Sequence, residues 1–416
     1  MKTPYKLIFA AMLAAGLVGC GKEAPKPAAA PAEPTLNVKI GHAGPLTGSI
    51  AHLGKDDENG VALAVTQTNA KRIMIDGKLL KLEMMSEDDQ ADPKVGTVVA
   101  QKLVDAMVVA VIGHLNSGVS IPASEVYAKA GIAMISGAAT NPVLTERQMA
   151  NVFRTVGRDD QQGPALATYI ASELKGKKVA VIHDKTAYGE GLAKEVEKTL
   201  KAAKVTIVSN EQTTDKETDF KAILTKIKAK NPDVIFHGGM DATGGPLLKQ
   251  ARELGIKAVF AFGDGACTNE MYKMAGAAAA GMVCSQAGLP AAAATKEFND
   301  AFKAKFGDVK QYAPYFYDGA LAVVEAMKLA NSADPAKFGP QLFKVSFTGA
   351  TGKVEFDAKG DRKDAEMTIF VGKDGAITPV SIVMNGVATK FELPTPAAAP
   401  AAAAPAAAAP AEAPKK

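Results

Sequence analysis

The sequence predicts an α/β protein with two lobes, each built on a parallel sheet that carries helices on both faces. The chain has 416 residues with 47% hydrophobic content, which is more than one average domain needs. From Leu36 onward, short apolar runs alternate with stretches whose apolar residues recur at helical spacing. Strands that are apolar throughout and are separated by helices are typical of parallel sheets buried on both faces.

The strands are predicted from runs rich in β-branched and apolar residues: LNVKIGHAG, LLKLEMMSEDD, VVAVIGHL, IAMISG, VAVIHD, VTIVSNEQ, DVIFHGG, AVFAFGD and GMVCSQ. The intervening helices include ENGVALAVTQTNA, PKVGTVVAQKLVDAM, GPALATYIASELKGK and DFKAILTKIKAK. Two later helices, TKEFNDAFKAKFG and YFYDGALAVVEAMKLANS, precede the hairpin-like pieces KVEFDAKGD and TIFVGKDGAITPV. This late change of pattern predicts that the chain crosses back between the lobes.

We therefore expect both lobes to be assembled from separate parts of the chain. The N-terminal lobe is predicted to comprise residues 36–158 and 288–365. The C-terminal lobe is predicted to comprise residues 159–287 and 366–393.

The first twenty residues read as an export signal. Lys2 and Lys6 precede an apolar run that ends in Leu-Val-Gly-Cys, which resembles the bacterial lipobox. We expect residues 1–20 to be the signal peptide of a lipoprotein and Cys20 to carry the lipid, rather than being an incidental cysteine. The mature protein would be anchored to a membrane in the periplasm. Gly21 stands where an aspartate would retain the protein at the inner membrane, so the outer membrane is favoured.

Two Pro/Ala-rich segments flank the predicted lobes. Residues 21–35 are expected to be a linker and residues 394–416 a disordered tail, because both lack the apolar bulk that offsets ordering entropy. The net charge of +4 comes from 48 basic and 44 acidic residues without a basic block, which argues against nucleic acid as a partner. Cys267 and Cys284 would lie in an oxidising compartment, and we expect a disulfide in preference to two buried thiols.

Small polar residues follow two neighbouring predicted strands. Ser117 follows the strand VVAVIGHL, and Ala138, Ala139 and Thr140 follow IAMISG. In open α/β sheets ligands bind beyond the carboxyl ends of the strands. Hydroxyls and open backbone amides at such ends can hold a carboxylate without a cation. Each residue taken alone would also suit a helix cap or a turn.

The second series of strands offers groups of another kind. Asp264 follows AVFAFG and could face an ammonium group, while Tyr188 could close over the ligand. A turn former and a packing residue are the corresponding plain alternatives. Enzyme motifs such as HExxH, GxSxG and GxxxxGK[ST] are absent, and the five histidines show no close ligand spacing. The sequence therefore predicts no metal, no cofactor and no catalytic residues.

Several segments together resemble a known family. DDQADPKVG, VIGHLNSGVSIPASEVY, ISGAATNPVLT, GRDDQQGP and VIHDKTAYGEGLAKEV are similar to signatures of the leucine/isoleucine/valine-binding proteins. These are the periplasmic receptors of branched-chain amino acid ABC importers, and the resemblance extends from Leu36 to Pro379. It implies the type I periplasmic binding fold, in which two Rossmann-like lobes joined by a multi-crossover hinge close on an amino acid.

The resemblance also implies roles for individual residues. Ser117, Thr140 and the backbone of Ala138 match the carboxylate-binding elements, and the Ala138 carbonyl also meets the ammonium group. Tyr188 matches the tyrosine that covers the ligand, and Asp264 stands where the family commonly has a glutamate.

The chain departs from the family pattern at the ligand's side chain. Leu53 and Met240 occupy places that often carry aromatic residues. An aliphatic pocket would still suit leucine, isoleucine or valine, but selectivity among these three is not predictable because one methylene changes binding by only about 1 to 3 kcal/mol.

The expected function is that of a monomeric, lipid-anchored receptor that captures an aliphatic L-amino acid and delivers it to an inner-membrane ABC permease. A binding protein of the same fold for an amide, urea or aromatic acid is the main alternative. An α/β enzyme such as a hydrolase and a structural lipoprotein whose Ala/Pro tail is the working part are the other two.

Overall fold

The computed structural model describes residues 33–392. The predicted signal peptide, most of the predicted linker and the Ala/Pro tail lie outside the described residues, and so does Cys20. The first strand already includes Thr35, which was predicted to belong to the linker.

The first lobe contains a six-stranded sheet. Its strands are β1 (Thr35–Gly44), β2 (Met74–Ile75), β3 (Lys78–Asp88), β4 (Ala110–Gly113), β5 (Ala133–Ser136) and β6 (Val152–Arg154). Their order across the sheet is β2-β3-β1-β4-β5-β6, and only β2 and β3 pair in antiparallel fashion.

The second lobe contains an eight-stranded sheet. Its parallel part consists of β7 (Lys178–His183), β8 (Thr206–Gln212), β9 (Val234–Gly238), β10 (Val259–Phe262) and β11 (Val283–Gln286). A separate antiparallel pair follows along the chain, β12 (Ser346–Gly349) and β13 (Gly352–Glu355). The last strands are β14 (Met367–Lys373), β15 (Ala376–Met384) and β16 (Val387–Lys390), which extend the second sheet beyond β11 in antiparallel fashion.

Twelve α-helices occur among residues 33–392. They are α1 (Ala51–Ala70), α2 (Pro93–Asp105), α3 (Ser117–Lys129), α4 (Val143–Glu146), α5 (Asp159–Ser172), α6 (Ala187–Ala202), α7 (Lys221–Lys228), α8 (Asp241–Glu253), α9 (Glu270–Ala275), α10 (Lys296–Phe306), α11 (Ala313–Ala330) and α12 (Pro335–Phe338). Within the same part of the chain, no helix combines the length and apolarity needed to cross a membrane.

The predicted α/β architecture is confirmed, and each predicted strand is present. Sequence patterns did not indicate β2, β6 and β16, because two to four residues are too few to show a period. β16 is also exposed along its whole length, so it carries no buried apolar face. TIFVGKDGAITPV forms the hairpin of β14 and β15, whereas β13 pairs with β12, which precedes it.

The chain passes between the two sheets three times, after β6, after β11 and after β13. After the second passage, α11 returns to the first lobe and packs on α1. Apolar clusters cover both faces of each sheet. In the second lobe, Cys267 and Cys284 form a disulfide with Cα atoms 5.3 Å apart, which ties the turn after β10 to β11.

A buried ion pair supports the segment that follows β5. The guanidinium group of Arg154 is fully buried, donates to Asp361 Oδ1 at 2.6 Å and also donates to the carbonyl oxygens of Ala139 at 2.9 Å and Asn141 at 3.1 Å. Arg158 donates to the other oxygen of Asp361 at 2.7 Å. Burial raises the pKa of Asp361, but the two guanidinium groups outweigh burial and hold it below its ordinary value.

We expect Asp361→Asn to lower the free energy of unfolding by about 3 kcal/mol, because it leaves Arg154 buried beside a neutral partner. Urea unfolding monitored by circular dichroism measures this change. Since the pKa of Asp361 is depressed in the folded state, its contribution is present above the unfolded pKa and is lost as the pH falls through the folded value. The exposed Asp300→Asn is the control, and an equally small loss in both variants would contradict the role of the ion pair.

Candidate functional site

A cavity of about 300 Å³ lies between the lobes, beyond the carboxyl ends of the parallel strands. The residues that line it are Leu53, Leu115, Asn116, Ser117, Ala138, Tyr188, Met240, Asp264, Gly265, Gln311 and Tyr312. The predicted residues Ser117, Ala138, Tyr188, Asp264, Leu53 and Met240 are therefore brought together. Ala139 and Thr140 are buried nearby but do not line the cavity.

The first lobe contributes a helix N-terminus to the cavity. Ser117 is the first residue of α3, and the side chain of the preceding Asn116 makes no capping hydrogen bond. The amides of the first helical turn are therefore available to an anion. The Ser117 hydroxyl accepts a hydrogen bond from the Asn141 amide at 3.2 Å, which links the ends of the β4 and β5 segments.

The loop after β5 is shaped by a buried hydroxyl. Ser136 Oγ accepts from the Ala139 amide at 2.9 Å and from the Ala138 amide at 3.3 Å, and it donates to the His114 carbonyl at 2.6 Å. The next residue must be Gly137, because a Cβ there would lie 2.4 Å from the ring of Phe316 on α11. The tight loop thus depends on a helix that enters the lobe much later in the chain.

Two buried polar groups near this loop have no hydrogen-bond partner among the described residues. These are the Thr140 hydroxyl and the Asp159 carboxylate. The Asp159 amide donates to the Thr140 carbonyl at 2.9 Å, so the two residues are held together across the first passage between the lobes. Burial raises the pKa of Asp159 well above its ordinary value, and the negative charge of Asp264 raises it further.

Asp264 is the most heavily hydrogen-bonded group of the cavity. Its Oδ1 accepts from the Tyr188 hydroxyl at 2.7 Å and from Gln162 Nε2 at 2.9 Å, while its Oδ2 accepts from the Tyr312 hydroxyl at 2.9 Å. Burial raises the pKa of Asp264 to about 6, although the two tyrosines oppose the shift. Tyr188 in turn accepts from the Gly265 amide at 2.8 Å.

Sequence analysis did not identify Asp159, Gln162, Gln311 and Tyr312 as site residues. Asp159 and Gln162 belong to the segment GRDDQQGP, and two acids at a helix start after a strand were a usable signal. Gln311 and Tyr312 precede α11 and follow no strand, so the strand-end pattern could not indicate them. Gln311 Nε2 donates to the Asp264 carbonyl at 2.7 Å, and with Tyr312 it joins the first lobe to the second.

The remaining wall of the cavity is apolar. Leu53 and Leu115 are buried, and Met240 is partly buried at the end of β9. Gly265 faces this wall, since a Cβ there would lie 2.6 Å from Met240 Sδ and 2.9 Å from Tyr188 Cε1. The cavity therefore combines acids, hydroxyls and open amides with an apolar compartment.

This combination suits noncovalent binding of a small zwitterion. An acid can accept an ammonium group, and hydroxyls with helix amides can hold a carboxylate. Among residues 33–392, no cluster of three or more acidic, histidine or cysteine side chains is placed to hold a metal ion.

A larger groove lies elsewhere, between α5 and strands β14–β16. Its walls come from one helix and the sheet edge beside it, apart from Ala365, so it does not bring groups of both lobes together. We therefore assign the candidate site to the cavity between the lobes.

The sequence was compared with families of known proteins. The model of the periplasmic binding protein family matches residues 37–376, which is most of the chain. The chain belongs to this family. Membership confirms the predicted resemblance and places the chain among periplasmic proteins.

Individual relatives agree with this assignment. Leu/Ile/Val-binding protein homolog 2 from Brucella abortus is 38% identical over 345 residues, covering 82% of this chain and 91% of the relative. The leucine binding protein LivK from Thermotoga maritima has a TM-score of 0.77 at 25% identity, covering 83% of this chain and 98% of that one. The branched-chain amino acid transporter substrate binding protein LivJ from Streptococcus pneumoniae, solved with isoleucine, has a TM-score of 0.76 at 29% identity, with coverages of 84% and 100%. The two-lobed fold is thereby confirmed.

We expect Asp264→Asn to change how the stability of the ligand-free protein depends on pH. A buried carboxyl with a raised pKa destabilises the folded state as the pH rises from its unfolded value towards about 6. The wild-type protein should therefore lose about 3 kcal/mol relative to the variant between pH 4 and pH 8. Urea unfolding at several pH values measures the difference, with Asp300→Asn as control. A constant difference across this range would contradict the burial of a titrating acid.

Proposed function

We propose that this protein is the substrate-binding component of an ABC importer and captures a branched-chain or other small aliphatic L-amino acid. The observation that carries the proposal is the cavity between the lobes, which combines the buried Asp264 with the N-terminus of α3 at Ser117 and an apolar wall. The isoleucine in the pneumococcal relative supports a ligand of this class.

The α-carboxylate of the ligand is proposed to bind the first lobe. Ser117 offers its hydroxyl and the free amides of α3, and the Ala138 amide is held only at 3.3 Å by Ser136. The buried Thr140 hydroxyl has no partner among the described residues. A small movement of the loop would let these donors turn to the ligand, which supplies the charge that the helix N-terminus favours.

The ammonium group is proposed to bind Asp264, with Asp159 as a second acid and the Ala138 carbonyl as a further acceptor. Two neighbouring buried acids repel each other when both are charged, which the raised pKa of each reflects. An ammonium group between them would offset this repulsion and lower both pKa values. The shorter side chain of aspartate is compatible with this role because Tyr188 and Tyr312 hold the carboxylate in place.

The ligand's side chain is proposed to lie against Leu53, Leu115 and Met240. Burial of an aliphatic side chain contributes about 1.5 to 3 kcal/mol, which favours leucine, isoleucine and valine over polar amino acids. Closure of the lobes would complete this compartment, because Leu53 belongs to α1 and Met240 to the end of β9. The protein is proposed to bind and deliver its ligand as a monomer and to catalyse no reaction.

We expect the refolded, ligand-free protein to bind leucine, isoleucine and valine in isothermal titration calorimetry, and to bind glutamate and urea weakly or not at all. Asp264→Asn should weaken leucine binding by at least about tenfold, because a hydrogen bond to a charged group is lost. Asp159→Asn should weaken binding as well, and Ser117→Ala should do so to a smaller degree.

Asp184→Asn is the matched control, since it also changes a buried acid at a strand end of the second lobe but does not line the cavity. Binding of benzoate, an amide or urea in place of aliphatic amino acids would favour the alternative ligand classes. Silence towards the whole panel from a correctly refolded protein would contradict the proposal.

The protein is further proposed to be anchored in the outer membrane through a lipid on Cys20, with residues 21–35 as spacer and an inner-membrane permease as partner. The support is the Leu-Val-Gly-Cys sequence and the glycine at position 21.

We expect Cys20→Ser to abolish incorporation of labelled palmitate and to move the protein from the membrane fraction to the soluble periplasmic fraction. Gly21→Asp should keep the lipid but shift the protein to the inner membrane. The double variant of Cys267→Ser and Cys284→Ser serves as control and should remain lipidated. Unchanged membrane association of Cys20→Ser would show that the anchor lies elsewhere.

A further inference from the structure

A histidine and an aspartate join the lobes outside the ligand cavity. His52 is the second residue of α1, and Asp241 is the first residue of α8. His52 Nε2 lies 2.8 Å from Asp241 Oδ2, although the two residues are 189 positions apart. Asp241 is fully buried, while the His52 side chain keeps 22% of its surface exposed.

The aspartate is held ready for this contact. Thr268 Oγ1 donates to the same Asp241 oxygen at 2.6 Å, and Asp241 Oδ1 has no hydrogen-bond partner among the described residues. When the lobes separate, the Asp241 carboxylate loses its contact with His52 and keeps the one with Thr268. The contact with His52 is therefore specific to the closed arrangement.

The same two short segments build the apolar wall of the ligand cavity. Leu53 follows His52 directly, and Met240 directly precedes Asp241. Both neighbours line the cavity, whereas His52 and Asp241 do not. A bond between His52 and Asp241 consequently sets how close Leu53 and Met240 can come.

We propose that His52 and Asp241 form a latch that holds the lobes closed and positions the apolar wall against the ligand's side chain. This inference rests on the proposed function and adds to it a pair of positioning residues that do not touch the ligand. The latch slows release and strengthens binding most for ligands long enough to reach the wall.

The charges around His52 favour its protonated form in the closed state. Burial lowers the pKa of His52, but the hydrogen bond and charge of Asp241 outweigh burial, and the net shift is upward. On α9, Glu270 raises the pKa of His52 and Lys273 lowers it. On its own helix, Lys55 is paired with Glu58 at 2.9 Å. The latch should therefore be strongest below the ordinary pKa of histidine and weaken as the pH rises through the raised value.

The test compares the mature chain, without signal peptide and lipid, with His52→Ala, Asp241→Asn and the double variant. Stopped-flow binding and calorimetry measure leucine and alanine. We expect His52→Ala to weaken leucine binding about tenfold, mainly through faster dissociation, and the double variant to lose no more than the single ones. The loss for alanine should be smaller, because its side chain does not reach the wall.

Two further measurements separate the latch from a general effect on folding. Lys55→Ala, which removes an ion pair within the first lobe, should leave leucine dissociation unchanged, and thermal unfolding of ligand-free His52→Ala should match the wild type. The affinity ratio of wild type to His52→Ala should be larger at pH 6 than at pH 9. The titration of Asp264 is common to both proteins and does not affect this ratio.

Unchanged leucine dissociation in His52→Ala, or equal losses for leucine and alanine, would overturn the latch. Failure of the wild-type protein to bind any amino acid would instead contradict the proposed function. In that case small-angle scattering of the ligand-free protein still tests the latch, since His52→Ala must open the lobes if the contact holds them together.

Discussion

A single negative charge, that of Asp264, determines how the cleft between the lobes can work. The carboxylate is removed from water and held by hydroxyls from both lobes, those of Tyr188 and Tyr312. Burying a charge is unfavourable unless partners replace its hydration. Part of that replacement comes from the first lobe, so the acid is fully satisfied only when the lobes are together, and its affinity for a cation is coupled to closure.

Close approach of backbones imposes the second constraint on the cleft. Gly137 lies where α11 leaves no room for a side chain, and Gly265 lies where Met240 and Tyr188 leave none. Both glycines belong to loops that follow strands of the sheets. The polar groups of the site are therefore placed by packing at some distance from the ligand, and the buried pair of Arg154 and Asp361 performs the same task for the loop after β5.

The sequence was sufficient for the strands, the main helices and the return of the chain to the first lobe, because long apolar runs show their period directly. It also indicated Ser117, Ala138, Tyr188 and Asp264, which follow strands, as residues at one edge. It could not indicate Gln311 and Tyr312, since they meet Asp264 only through the packing of α11. Nor could it show that Thr140 is buried without lining the cavity, because exposure within a loop depends on the neighbouring lobe.

The three passages of the chain between the sheets also bear on how the protein is made. The first lobe lacks α11 until residue 330 has been synthesised, and the second sheet lacks β14–β16 until nearly the end of the described chain. Neither hydrophobic core can be completed while the polypeptide is still emerging from the ribosome. A chain of this topology stays unfolded for most of its translation, which is the state required for threading through a secretion channel, and it folds as one unit on the far side.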